Sequence, residues 1–161
     1  MAIQTDLAAL FRRDLSRLIQ ELDAFDHEDD LWKKAEGVTN SAGNLALHLE
    51  GNLREYVGRQ LGNVSYQRQR DQEFSGSGVS RADFARRLGE VRDIVVRTIS
   101  ELPDERLSER FPERVSGIDW STQQFLFHLL AHFNYHLGQI DYLRRFHSKR
   151  SAIELVPLRA G

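Results

Sequence analysis

The stretch FLFHLLAHFNYHLGQIDYLRRFH, residues 125–147, carries three histidines on one continuous apolar repeat. At about 100° per residue, Phe125, Leu129, Phe133, Leu137, Ile140 and Leu143 share a stripe, while Asn134, Gly138, Asp141 and Arg145 lie opposite. The pattern predicts one long amphipathic helix. His128, His132 and His136 stand at four-residue intervals, so each neighbouring pair is separated by roughly 6 Å along the axis and about 40° around it. A neighbouring pair can share one metal ion, whereas the outer pair, about 12 Å apart, cannot. Ligands of a site in a bundle interior must project inward. His136 falls about 40° from the centre of the stripe, His132 about 80° and His128 about 120°, which favours His132 and His136. A third ligand then has to come from another helix. A single rim histidine is most often an ordinary group bonded to neighbours or water; the H-x-x-x-H repeat beside a stripe makes a metal site an equally weighted reading.

Outward from this helix, Ser121 with Gln124 forms an N-terminal capping signature. Leu7, Leu10, Phe11, Leu15, Leu18, Ile19, Leu22 and Phe25 mark a first long helix that ends near the acidic turn at residues 26–30. His27 in that turn reads as part of a solvated loop. Thr39, Asn40 or Ser41 can cap a second helix running to about Leu61, with Leu45, Leu49, Leu53, Tyr56 and Val57 on its apolar side. His48 sits at the margin of that side, between Asn44 and Asn52, and is the natural third ligand. Residues 62–78 show no sustained period and read as an ordered functional loop, long enough for a crossover along a ~30 Å helix. Within it, Arg68, Arg70 and Glu73 are candidates to line a site entrance, weighed against a solvated loop with local ion pairs. Ser80 with Asp83 opens a third long helix, carrying Phe84, Leu88, Val91, Val95, Ile99 and Leu102 and stopped by Pro103. Residues 102–120 form a second irregular connection with room for a helical turn or a small hairpin. The tail IELVPL, residues 153–158, reads as an extended strap.

Composition narrows the function classes. The 161 residues suit one domain, spanning 1–161, with a core that needs neither disulfide nor structural metal to fold. The 22 Lys and Arg are interleaved with 24 Asp and Glu, giving a formal net charge of -2, so no basic surface for nucleic acid is expected. The chain contains no cysteine, which excludes a cysteine nucleophile, an iron–sulfur cluster and a thiolate zinc site. Residues 1–18 read as neither signal peptide nor membrane span, and no later apolar run approaches ~18 residues. A soluble, cytoplasmic protein is the expectation. E-x-x-H, which a ferritin-like di-iron bundle needs twice, precedes none of the six histidines, and H-E-x-x-H is absent.

Four long amphipathic helices with long connections give an all-α four-helix bundle. Over residues 7–147 the chain resembles the DinB/YfiT-like superfamily of metal-dependent bundle enzymes. The resemblance is carried by NSAGNLALHLEGNLREY around His48, by RQRDQEF at residues 68–74, and by HLLAHFNYHLGQIDYL, which is similar to a closing signature of H-x-x-x-H followed by Gly-Gln-Ile. Gly51-Asn52 and the RQRDQEF loop look closer to an uncharacterised branch than to the known transferases. The resemblance implies an up-down-down-up bundle, frequently dimeric, with one divalent metal ion held by His48, His132 and His136.

Zinc, nickel, iron and manganese all fit such a site. Some relatives transfer thiol cofactors such as bacillithiol or mycothiol, one branch isomerises a thiol-activated substrate, and many members have no known activity. Three neutral imidazoles leave an open position on the ion for a water molecule or a low-molecular-weight thiol. The expectation is a hydrolase or S-transferase acting on a small molecule. With no cysteine in the chain, the transferase version needs an external thiol cofactor. Glu50, Glu55, Tyr135 and Asp141 are candidates to support the ligands from behind. The competing expectation is a non-catalytic dimeric bundle, a small-molecule binder or stress-associated protein whose metal site is structural or vestigial.

Overall fold

Three serines set where the long helices after the first begin. Ser41, Ser80 and Ser121 sit in extended backbone, and each hydroxyl accepts from the amide three residues on, at Asn44, Asp83 and Gln124. These bonds satisfy amides that have no partner within the first helical turn. At Ser121 the Gln124 side chain returns the bond to the cap backbone and completes a capping box. At Ser80 the Asp83 carboxylate instead accepts from the serine hydroxyl at 2.9 Å.

The computed structural model describes residues 3–155 and 157, and its regular structure is helical. Helix α1 spans Ile3–Asp23, and a 3-10 turn at Glu28–Trp32 leads towards α2, Ala42–Leu53. A π-helical segment, Arg54–Arg59, continues α2 directly. Then come α3 at Arg70–Ser75, α4 at Arg81–Ser100, α5 at Asp104–Ser108 and α6 at Thr122–Ser148. Among the described residues, β-type pairing is confined to two isolated antiparallel bridges, Arg110 with Ser121 and Val115 with Ile118. The connection after α4 therefore holds both a helical turn and a hairpin-like loop. The described part of the tail, from Ser151 to Leu155, is irregular; Val156 and Leu158 of the expected strap lie outside the described residues. No helix among the described residues is long and apolar enough to cross a membrane.

The apolar stripes meet in one continuous core. Phe11, Leu15 and Leu18 of α1, Leu49 and Leu53 of α2, Phe84 to Ile99 of α4, and Phe125 to Leu143 of α6 contribute to it. Each fully buried Leu or Phe side chain favours folding by about 1.5–3 kcal/mol. Helix α1 packs chiefly against α4 and α6, and α2 packs against α6, α3 and α4. Gln4, at the start of α1, donates to Leu102 O beyond the end of α4, and Arg81, at the start of α4, donates to Asp23 O and Phe25 O at the end of α1. Along α2 and α4 the contacts run in matching order: Arg54 donates to Arg87 O, Gly58 lies against Ile94, and Gly62 against Thr98.

Residues 62–78 depart from the expected loop by containing α3. A six-residue helix is too short to display an apolar period, and tertiary bonds hold this one in place. The Asn44 amide on α2 donates to Glu73 O at 3.1 Å and to Gly76 O at 2.9 Å. Those bonds carry α3 to the histidines.

Candidate metal centre

His48 leaves α2 on the side that meets α6, and it is buried together with Asn44 and Asn52. By tying down α3, Asn44 brings Glu73 up to His48, where Nδ1 of the histidine lies 2.9 Å from Glu73 Oε2. A carboxylate only accepts, so Nδ1 carries the proton and Nε2 keeps its lone pair. Arg68 donates to both oxygens of Glu73, at 2.6 and 2.8 Å. Burial pushes the Glu73 carboxyl up, but the bonds from Arg68 and His48 outweigh it and hold the group below its ordinary range. Gly51 makes this approach possible. A Cβ at position 51 would stand 2.2 Å from Glu73 Oε1.

The two histidines of α6 meet His48 through their Nε2 atoms. His132 Nε2 lies 3.3 Å from His48 Nε2 and 3.2 Å from His136 Nε2, and the three ligand atoms all lie within 4.8 Å of one another. His136 Nδ1 donates to Gln139 Oε1 at 2.7 Å, which again frees Nε2. A tetrahedral ion with nitrogen ligands at about 2.0–2.1 Å spaces those ligands roughly 3.3 Å apart. A proton on His132 Nε2 points at one neighbouring lone pair at a time, whereas a cation in the cluster answers all three. Burial first, then His136, His48 and His128, push His132 down to about 4, and burial also lowers His136. Both rings are therefore neutral at pH 7, as metal binding requires. The donor set fits a divalent ion that accepts imidazole, and this group could hold one.

A cavity of about 200 Å³ opens beside His48 and His132, walled in part by Asn52, Tyr56, Arg70, Phe125 and His128. The Asn52 side-chain nitrogen lies 3.0 Å from His48 Nε2. A larger groove of about 520 Å³ borders His136 from the other side, between residues 37–40 and Tyr135, Gln139 and Tyr142. Gln139 lines that groove and bonds the Nδ1 edge of His136, so the groove meets the edge that does not face the cluster.

His48, His132 and His136 are thus brought together. His128 stays outside, exposed at the cavity rim, with its ring stacked on Trp120 at 5.0 Å between centroids. The RQRDQEF residues divide in role. Arg70 lines the cavity, whereas Glu73 and Arg68 stand behind His48 as its support. The candidate supports named from sequence are engaged elsewhere. Glu50 pairs with Arg54 and Arg87, Glu55 with Arg59, and Asp141 with Arg144 and Arg145. Tyr135 is exposed, with its ring edge-on to His136. The supporting role of Glu73 escapes sequence reasoning, because it depends on which elements face each other, whereas Gln139 and Asn52 stand three and four residues from His136 and His48 on the same helices. Gly51 is the one available signal, since glycine inside a helix calls for a packing reason.

Among curated proteins none matches the chain. Residues 7–156, which include every residue of the cluster and its supports, match one family model, and the chain therefore belongs to the family described as Protein of unknown function (DUF1572).

Proposed function

We propose that this chain is a metal-dependent enzyme of the DinB/YfiT-like kind, holding one divalent ion between His48, His132 and His136 and hydrolysing a small molecule in the adjoining cavity. The observation that carries this reading is the convergence of three Nε2 atoms at metal-ligand spacing, two of them fixed in the required tautomer by Glu73 and Gln139. The ion would supply Lewis acidity and an open coordination position, which make water or a thiol a usable nucleophile near neutral pH. Around it, Glu73 and Arg68 orient His48, and Gln139 orients His136. Water is favoured over a thiol cofactor by volume. About 200 Å³ lies below the ~300–1,000 Å³ of ordinary ligand pockets and leaves little room for a cofactor beside a substrate.

The same reading makes the four long helices an up-down-down-up bundle. It is supported by the matching order of contacts along α2 and α4 and the opposed ends of α1 and α4. It also makes the working unit a symmetric homodimer. Phe127, Tyr135, Tyr142 and Phe146 are exposed and fall within about 100° of arc on α6, with the small residues Ala131 and Gly138 between them.

The test is elemental analysis of untagged protein together with activity. Wild type should carry about one divalent ion per chain, and His48→Ala, His132→Ala and His136→Ala should lose it, whereas His128→Ala keeps it. Full occupancy in His48→Ala would sink the arrangement. His132→Ala should abolish hydrolysis while helical circular dichroism survives; loss of fold with the ion would favour a structural site. Electrophilic substrates are then screened with and without bacillithiol, mycothiol and glutathione. Metal-dependent thioether formation would replace hydrolysis by transfer.

A further inference from the structure

Arg70 differs from the other guanidinium group at this site. Arg68, two residues earlier, is committed to both oxygens of Glu73. Arg70 is exposed, lines the cavity that contains His48 and His132, and among the described residues pairs with no carboxylate. Its guanidinium carbon lies 5.9 Å from the centre of the Phe74 ring, and that ring packs on His48 with centroids 5.0 Å apart. The cation is thereby held close to the histidine cluster without being neutralised. No Asp or Glu lines this cavity, and the nearest carboxylate behind His48 is already balanced by Arg68. Tyr56, Phe125 and Leu129 also line the cavity and contribute its apolar surface. An unpaired guanidinium, apolar side chains in the same lining and no competing acid together describe a receptor for an organic anion. The volume, about that of seven waters, restricts the ligand to a small one.

We propose that the cavity binds a small carboxylate, its charged group on Arg70 and its apolar body against Tyr56 and Phe125, which presents the rest of the molecule to His48 and His132. For the reaction this rests on the metal-centre reading; for the binding it does not, because Arg70 is not one of the three histidines. The experiment is a ligand-observed NMR titration of the full chain with benzoate and with its neutral counterpart benzamide, in metal-free and in zinc-loaded protein. Zinc content is measured separately. Metal-free wild type should prefer benzoate by at least tenfold. Arg70→Gln should remove that preference, and Arg70→Lys should keep part of it, each with unchanged circular dichroism. Equal affinity for benzoate and benzamide, a preference that persists in Arg70→Gln, or no benzoate binding at all would overturn the proposal. If zinc binds but the preference is missing, the anion site fails and the metal centre stands. If zinc does not bind but the Arg70-dependent preference is present, the reverse holds.

Discussion

A single missing side chain decides whether His48 is aimed at the cluster. Glycine in a helix interior is less favourable than alanine by about 1 kcal/mol, yet Gly51 lies inside the last turn of α2, just before the π-helical segment that continues it, where Glu73 crosses the helix surface on its way to His48. Gly51→Ala should therefore leave helicity intact while pushing the Glu73 carboxylate off Nδ1. Outer partners of metal-bound histidines typically contribute 10- to 100-fold in metal affinity, and a drop of that size is expected in competition with a chromophoric chelator. Glu73→Gln should produce a comparable loss without the steric change. Unchanged zinc affinity in both variants would show that Glu73 does not orient the ligand. Sequence offered His48, His132 and His136 because periodicity alone ranks residues by distance from an apolar stripe. It placed Glu73 at an entrance, since nothing in RQRDQEF itself reveals that Asn44 draws α3 down onto α2.

The elements were legible wherever a local signal marks them. Ser41, Ser80 and Ser121 open their helices through bonds that span three residues, and the apolar positions of α1, α4 and α6 are buried as their spacing requires. The π-helical segment was not legible, because one extra residue per turn leaves no trace in a short pattern. Glu55 fastens that segment by bonding to Arg59 and Gln60. The Arg59 bond, partly opposed by burial, holds the Glu55 carboxyl below its ordinary value of 4.5. The folded chain thus binds this proton less readily than the unfolded one. Its contribution is complete above about pH 4.5 and is lost as pH falls through the depressed folded pKa. Glu55→Gln should lower stability in denaturant titrations at pH 7 by about 1 kcal/mol or less, the scale of a partly exposed pair, and the difference should vanish in acid. A persistent difference below pH 3 would point to packing instead. Arg144 was equally hidden. A charged residue reads as surface, yet this one is fully buried and clasps Glu21 of α1 at 2.5 Å and Asp141 at 3.0 Å. Burial pushes Glu21 up despite this partner. Arg144→Met should cost about 3–5 kcal/mol by stranding that carboxyl, and adding Glu21→Leu should recover most of it. Additive losses in the double variant would mean that the pair is not coupled.

At the scale of the molecule, α6 has two working faces. One carries Phe125, Leu129, Phe133, Leu137, Ile140 and Leu143 into the core, with His132 and His136 at its margin. The other carries Phe127, Tyr135, Tyr142 and Phe146 to the surface, where Tyr135 and Tyr142 are 66% and 72% exposed. Sequence conveyed the first face as a clean stripe. The second is harder to see, because a helix apolar on two sides has a weak period and a surface aromatic is not by itself unusual. A row of four along one helix is different: even with Arg145 over Tyr142 and Lys149 over Phe146, it exposes aromatic surface of the kind that marks an interaction site. In a two-fold symmetric dimer the same strip meets itself, and Ala131 and Gly138 between the aromatics let two copies of α6 approach closely. The tyrosines suit such an interface, since each joins a large apolar ring to a hydroxyl that can reach solvent at the rim. Light scattering at tens of micromolar should therefore report twice the 18.6 kDa chain mass. The double variant Tyr135→Lys with Tyr142→Lys should be monomeric, because it sets like charges against each other across the two-fold axis. A monomeric wild type at that concentration would refute the dimer. A variant that remains dimeric would move the interface to another face of the molecule.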